Sequence, residues 1–318
     1  DEEKNTKVIP FDSSIVFLEW IDKKIIKYYG GMRLLYIRKF KNILEAHFDQ
    51  NGSKIAKEYD QIFLGAGCVN TTAIVDRSLF KSGTRKYKIK LVPHLVQGLL
   101  KLPIFNSKYH EGLGKQDDYG LTRVFLESRN INTGNFWSHT QIGPINRLII
   151  KKIFTKEKGI LYSLISKLFL IFGFSLTLFH SSLREEVTMK ITIKNKKNLF
   201  SQSIHIEEKE YVCTEKMYKC TKRALLSKFL KLGLLPIPFS FLLSKIFLKN
   251  SFGSTHFGGS LPMSKALTKK SYCNSSGELI GLKGTFIIDS ASFPSIPGST
   301  IGLLTMANAY RIAKKSFL

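Results

Sequence analysis

Short apolar runs separated by turn signals open the readable part of the chain. From Met32 to Gly67 the sequence reads as short strands, with a reverse turn at Asn51-Gly52. The last of these runs, Ile62 to Leu64, sits between Tyr59-Asp60 and Gly65-Ala66-Gly67. An apolar run that short suits a strand buried on both faces, as in a parallel sheet. The stretch CVNTTAIVDRSLF that follows predicts a helix, with Asn70, Thr71 or Thr72 as its cap.

From about Tyr87 to Leu248 polar loops alternate with apolar stretches. Strict alternation in Thr188–Ile193 and Ser203–Ile206 predicts an antiparallel sheet, and hence a second domain inserted into the first. Two apolar stretches stand out. Gly159 to Phe179 holds 21 residues with one charge, Lys167, and reads as a buried or cleft-covering helix, an interfacial helix or a spanning one. The stretch from Leu225 to Lys249 sets Lys228, Lys231, Lys245 and Lys249 among apolar residues and is broken by Pro236 and Pro238, a pattern that suits a membrane interface.

After Asn250 the chain turns Gly-, Ser- and Pro-rich, then closes in strand, loop and helix. The strand GTFIID ends in Asp289. Ligands of open parallel sheets bind beyond the carboxyl ends of strands, where such an Asp can accept a hydrogen bond from a sugar-like hydroxyl. Pro294, Pro297 and Gly298 predict a tight turn, and Ser299 or Thr300 a cap for the last helix. The N-terminus of that helix would face an anion or an electron-rich ring. Taken alone, this junction is equally an ordinary strand-to-helix unit. Upstream, His256 directly precedes Phe257-Gly258-Gly259. It reads either as a turn residue or as a general base near neutral pH.

These pieces together resemble the glucose–methanol–choline (GMC) family of flavin oxidoreductases. The family's H-x-x-G-G-x-x-M stretch is matched by His256-Phe257-Gly258-Gly259 with Met263, one residue shorter between His and the glycine pair. Its V-D-x-S element resembles Asp289-Ser290-Ala291-Ser292, with Ser292 one residue later than the pattern; its F-P is matched by Phe293-Pro294; and its T-x-x-A-x-A-x-R resembles Thr305 to Arg311, one residue shorter between Thr305 and Ala307. Its V-I-L-A-A-G-A-I-x-T-P strand and turn resembles EYDQIFLGAGCVNTT, starting at Glu58.

The resemblance implies an α/β fold: a partial FAD-binding, Rossmann-like sheet made from two separated segments, with an inserted antiparallel-sheet (α+β) substrate domain. Residues 1–86 and 251–318 would form the FAD-binding part and residues 87–250 the substrate domain. It implies FAD as cofactor, bound by Gly65, Ala66, Gly67, Asp289, Ser290, Ala291, Thr300 and Ile301. It implies oxidation of the CH–OH group of an alcohol, sugar or lipid-linked substrate, with hydride passing to flavin N5 and His256 as base. The family's second catalytic residue, His or Asn, falls here on Ser299. The family's G-x-G-x-x-G loop has no counterpart before residue 60. With Asp1 rather than Met at its start, the chain reads as a piece of a longer protein and is expected to hold FAD poorly by itself.

Composition adds little to this. The net charge is +25 over 318 residues, mostly from scattered Lys. It reads as compositional drift, as attraction to a membrane surface or as affinity for nucleic acid, and no nucleic-acid motif supports the last. Cys68, Cys213, Cys220 and Cys273 form no C-x-x-C pair and have no His at ligand spacing, so we expect no metal site and a reduced, cytoplasmic setting. Peripheral association with the inner face of the membrane is expected from the basic-apolar stretches. The alternatives are a non-catalytic binding protein of the same fold, or a basic membrane-surface protein without flavin.

Overall fold

The computed structural model describes residues 13–92, 94–101, 124–130, 136–144, 172–183, 187–193, 202–207, 213–237, 256–266 and 271–317. Over these residues the fold is mixed α/β, with several antiparallel sheets and four helices.

After helix α1 (Ser13–Asp22), three strands form an antiparallel meander: β1 (Met32–Phe40), β2 (Ile43–Gln50) and β3 (Ser53–Tyr59). Asn51 and Gly52 join β2 to β3 with φ of 52° and 90°. A two-residue hairpin turn of this kind needs positive φ at both positions. The Asp49 carboxylate fixes it by accepting the Gly52 N–H at 2.9 Å. Ile37 and Leu44 of the meander pack against Ala73 and Val75 of α2 (Cys68–Leu79) in the largest apolar cluster.

Strand β4 (Ile62–Leu64) lies between β3 and α2 in sequence. Its partner is far away in the chain. Strand β5 (Gly83–Leu91) joins a four-stranded sheet with β10 (Val187–Ile193), β11 (Gln202–Glu207) and β13 (Phe257–Gly258). The alternation expected at 188–193 and 203–206 falls within β10 and β11, paired antiparallel from Thr188↔Glu207 to Ile193↔Gln202.

Strands β6 (His94–Lys101), β7 (Val124–Asn130), β8 (Phe136–Pro144), β9 (Phe172–Phe179) and β12 (Leu234–Pro236) build a five-stranded antiparallel sheet in the order β12-β6-β9-β8-β7. Helix α3 (Cys213–Lys231) caps this sheet with Leu225 and Phe229, which pack on Leu99 and Ile142. Two expectations change here. Residues 172–179 of the long apolar stretch are a strand, not a helix, because Phe174, Leu176 and Leu178 alternate with Gly173, Ser175 and Thr177. The rest of that stretch lies outside the described residues. Of Leu225–Lys249, the first part ends α3 and forms β12 after Gly233 at φ 68°; residues 238–249 lie outside the description. No helix among the described residues is long and apolar enough to cross a membrane.

The chain then adds β14 (Met263–Ser264), β15 (Cys273–Asn274) and β16 (Thr285–Ile287), and ends in α4 (Gly302–Ser316). β16 pairs parallel with β4, from Thr285↔Ile62 to Ile287↔Leu64. On its other edge β16 is held by the segment before it, through Leu279 N–H to Thr285 C=O and Ile287 N–H to Gly277 C=O, both 2.8 Å.

Candidate functional site

The parallel pair β4–β16 delivers two chain reversals to one place. Past Leu64 the chain turns through Gly65-Ala66-Gly67 into α2. Past Ile287 it turns through Ile288-Asp289 into a single 3-10 turn, Ser290–Ser292. A Cβ on Gly65 would stand 3.4 Å from the Ile288 side chain, so the two turns are in contact. Gly67 has φ 83°, in the region that favours glycine.

Asp289 ties the turns together. Its Oδ2 accepts the Gly67 N–H at 2.9 Å and the Thr71 hydroxyl; its Oδ1 accepts the Ala291 N–H at 2.9 Å. The side chain is 7% exposed. Burial pushes its carboxyl above the usual range, and the bonds from Thr71, Ala291 and Gly67 pull the other way. The sequence reading gave this carboxylate a ligand hydroxyl to accept. In the structure it accepts three bonds from its own chain, which make it a latch between two loops.

The capping expectations also change. Helix α2 starts at Cys68 with Gly67 as cap and no side-chain cap bond. Asn70, Thr71 and Thr72 lie inside it. Thr71 serves Asp289, and Thr72 bonds the Cys68 carbonyl at 2.6 Å and the Ser260 hydroxyl at 2.6 Å. Helix α4 starts at Gly302, two residues past Thr300, with Ile301 as cap and no side-chain cap bond. Thr300 is exposed, and Ser299 and Ile301 are half-buried. The exposed first turn Gly302–Leu304 therefore presents backbone N–H groups that no cap side chain covers.

The His256 loop packs onto the same 3-10 turn. Gly259 N–H donates to Ser290 C=O and Leu261 N–H to Ala291 C=O, both 2.9 Å; the Ser290 hydroxyl returns a bond to Phe257 C=O at 2.6 Å. His256 itself is half-buried, its carbonyl accepting the Val92 N–H at 3.4 Å. Burial lowers its pKa, which leaves the imidazole neutral at neutral pH. Thus residues 62–72, 256–261 and 285–293 form one hydrogen-bonded unit.

The five-stranded sheet reaches this unit at the end of β9. Ser181 N–H donates to Ile296 C=O at 2.9 Å, and the Ser181 hydroxyl accepts the Ile296 N–H at 2.8 Å. Gly298 leaves no room for a side chain there: a Cβ would stand 2.9 Å from Leu178 O and His180 N. Sequence reasoning missed Ser181 and Ser260, and it took Thr71 for a cap. The partners that give these hydroxyls their roles lie more than a hundred residues away.

Arg311, on α4, donates to Asn308 Oδ1 at 2.9 Å, Ser275 C=O at 3.1 Å and the Met263 sulfur at 3.3 Å. Two stretches recognised separately in the sequence thereby meet. A cavity of about 340 Å³ lies elsewhere, beside Lys39, Asn274, Glu278 and Lys283, and none of the predicted site residues lines it. Among the described residues no cluster of His, Cys, Asp or Glu is suited to a metal ion.

The chain is similar in fold to the crystal structure of pyridoxine 4-oxidase from Mesorbium loti, with a TM-score of 0.51 and 12% sequence identity. The likeness covers 90% of this chain and 57% of that one. The chain thus spans under two thirds of the length of the structure it matches. No protein-family model matches the sequence, and no curated protein does.

Proposed function

We propose that the chain is part of an FAD-dependent oxidoreductase of the glucose–methanol–choline kind, acting on the CH–OH group of an alcohol, sugar or lipid-linked substrate. One observation carries this reading: residues 62–72, 256–261 and 285–293, from separate parts of the sequence, are bonded to each other around Asp289. The fold likeness to an oxidase points the same way at the level of architecture.

The residues suit a dinucleotide with a flavin ring. Gly67 has no atom within 4 Å of where a Cβ would be, and neither has Gly302. Backbone approaches a ligand closely at such positions. In this reading Gly65, Ala66 and Gly67, with Asp289, Ser290 and Ala291, shape the wall against which FAD lies. Thr300 and Ile301 lead into the uncapped N-terminus of α4, whose N–H groups favour negative charge. The flavin, when bound, supplies hydride acceptance at N5.

His256 is the base that takes the substrate hydroxyl proton, its imidazole kept neutral by burial. Ser299 holds the substrate oxygen by a hydrogen bond. Residues 1–86 and 251–318 form the flavin part and residues 87–250 the substrate part, with the five-stranded sheet β12-β6-β9-β8-β7 as its floor. The test is visible flavin absorbance of the full polypeptide, followed by single-turnover flavin reduction by candidate alcohols. His256→Ala is expected to slow reduction by about 100-fold or more while leaving flavin uptake intact. An unchanged rate removes His256 from the chemistry, and a polypeptide that takes up no FAD removes the whole reading.

A second reading is a non-catalytic binding protein of the same fold. Ser299 favours it, because a serine is a poor partner for proton transfer where the family has His or Asn. Flavin uptake without reduction by any alcohol is its expected signature.

A further inference from the structure

Helix α1 and the chain that follows it have an unusual surface. None of the ten residues of α1 is buried. Phe17 is 54% exposed, Leu18 59% and Trp20 42%, and past the helix Ile25 is 65% exposed, Tyr28 75% and Tyr29 53%. Large apolar side chains exposed this close together along the chain, with the Phe17 and Trp20 rings in edge contact, mark an interaction site.

Its composition narrows the partner. Between Ser13 and Tyr29 lie Lys23, Lys24 and Lys27, against Glu19 and Asp22. Glu19 is neutralised by an ion pair with Lys23, one turn away. Lys57 of β3 adds a further cation, its ammonium 3.6 Å from the centre of the Tyr29 ring. Across 13–41 seven Lys and Arg face two carboxylates, in a chain of net charge +25. Trp and Tyr rings with one polar atom each, set among Lys side chains and bare Phe and Leu, match the boundary layer of a bilayer: apolar body inward, polar tip and ammonium at the headgroups. A protein interface core is by contrast depleted of Lys.

We infer that α1 and the segment to Tyr29 form a docking surface for an anionic lipid bilayer. The surface is distinct from the basic-apolar stretches at 159–179 and 225–249, and it stands independently of the redox reading. The helix lies along the bilayer surface, with Phe17, Leu18 and Trp20 in the upper acyl region. Lys23, Lys24, Lys27 and Lys57 contact headgroup phosphates and carboxylates. Each such cation near an anionic leaflet contributes about a five-fold gain in affinity.

Trp20 provides the readout, because the chain has two Trp residues and the other, Trp137, is 56% exposed and replaceable by Phe. In a Trp137→Phe background, emission of Trp20 is expected to shift to the blue with vesicles of phosphatidylcholine and phosphatidylserine. The chain is expected to float with them, and not with phosphatidylcholine alone. Raising salt weakens the effect. Lys24→Gln and Lys27→Gln each weaken binding by about five-fold. Phe17→Ser with Leu18→Ser abolishes the shift, and the unfolding midpoint stays in place because neither residue is buried. Absence of a shift with anionic vesicles overturns the inference, as does equal binding to neutral ones. A shift that grows with protein concentration without lipid assigns the surface to a second copy of the chain; one produced equally by duplex DNA assigns it to a polyanion of another class.

Discussion

Gly258 lies so close to Ser290 that a Cβ on it would stand 2.6 Å from the Ser290 carbonyl oxygen and 2.3 Å from Ile296 Cδ1. The Ile296 side chain can move, but the Ser290 carbonyl already accepts the Gly259 N–H at 2.9 Å and is fixed. Gly258→Ala is therefore expected to cost about 3 kcal/mol, the upper end for overpacking. Gly302→Ala, with open space around it, is expected to gain up to about 1 kcal/mol from helix propensity. Urea unfolding of the two variants side by side measures both.

Asp289→Ala leaves the Gly67 and Ala291 amides and the Thr71 hydroxyl without their acceptor. Ala291 and Thr71 are buried while Gly67 is exposed, so at about 1–3 kcal/mol for each of the two buried groups left unmade a loss of about 2 kcal/mol or more is expected. Hydrogen exchange at the Gly67 amide should accelerate in step.

The same carboxyl has a pH signature. Its folded pKa lies above the ordinary 3.8, first through burial, so the folded state holds this proton more tightly than the unfolded one. Its stabilising contribution is complete below 3.8 and is lost as pH rises through the folded value. Urea titrations against pH in the acid range should show this slope, and Thr71→Val, which removes a bond that favours the charged form, should carry it to higher pH.

Cys68 and Cys273 repeat the same sign at alkaline pH. Burial pushes Cys68 up to about 11 and Cys273 up to about 12, from 9.0. Unfolded thiols ionise near 9.0 while the folded ones do not, so stability falls as pH climbs from 9 toward 11 or 12. The loss is about 3 kcal/mol for Cys68 and about 4 for Cys273. Cys68→Ala and Cys273→Ala should each flatten the decline, and both thiols should react slowly with disulfide reagents at pH 8 in the folded chain.

Asp76 is fully buried on α2, where it accepts Arg85 Nε and Nη2 and the Tyr87 hydroxyl, the last at 2.6 Å. Removing it leaves the buried Tyr87 hydroxyl without this acceptor, while Arg85 is partly exposed and keeps its bond to Ser82 C=O. Asp76→Ala is expected to cost about 2–3 kcal/mol, read by thermal or denaturant unfolding.

Some of this was legible in the sequence. The Asn-Gly turn, the three-residue apolar runs of β4 and β16, and the acid just past β16 all follow from local rules, because their signals lie within a few residues of the structure they specify. Helix starts were not legible. Thr71 looks like a cap residue, but its hydroxyl is bonded to a carboxylate 218 residues away in the chain. β9 was hidden because thirteen apolar-rich residues precede it without a break, which blurs its period-two alternation. The latch at Asp289 was foreseen as a position but not as a role: a lone acid at a strand end does not reveal whether its acceptors go to a ligand or to the chain.

Gly67 and Asp289 are 222 residues apart, and β4 has no partner until β16 has been made. Closing so long a loop carries an entropic penalty that no local contact offsets. During synthesis the β1–β3 meander can fold as soon as it emerges, while β4 waits for the C-terminal seventh of the chain. The junction at Asp289 is then among the last parts to assemble, and a chain shortened by its final 35 residues would keep its early hairpins and lose the site entirely.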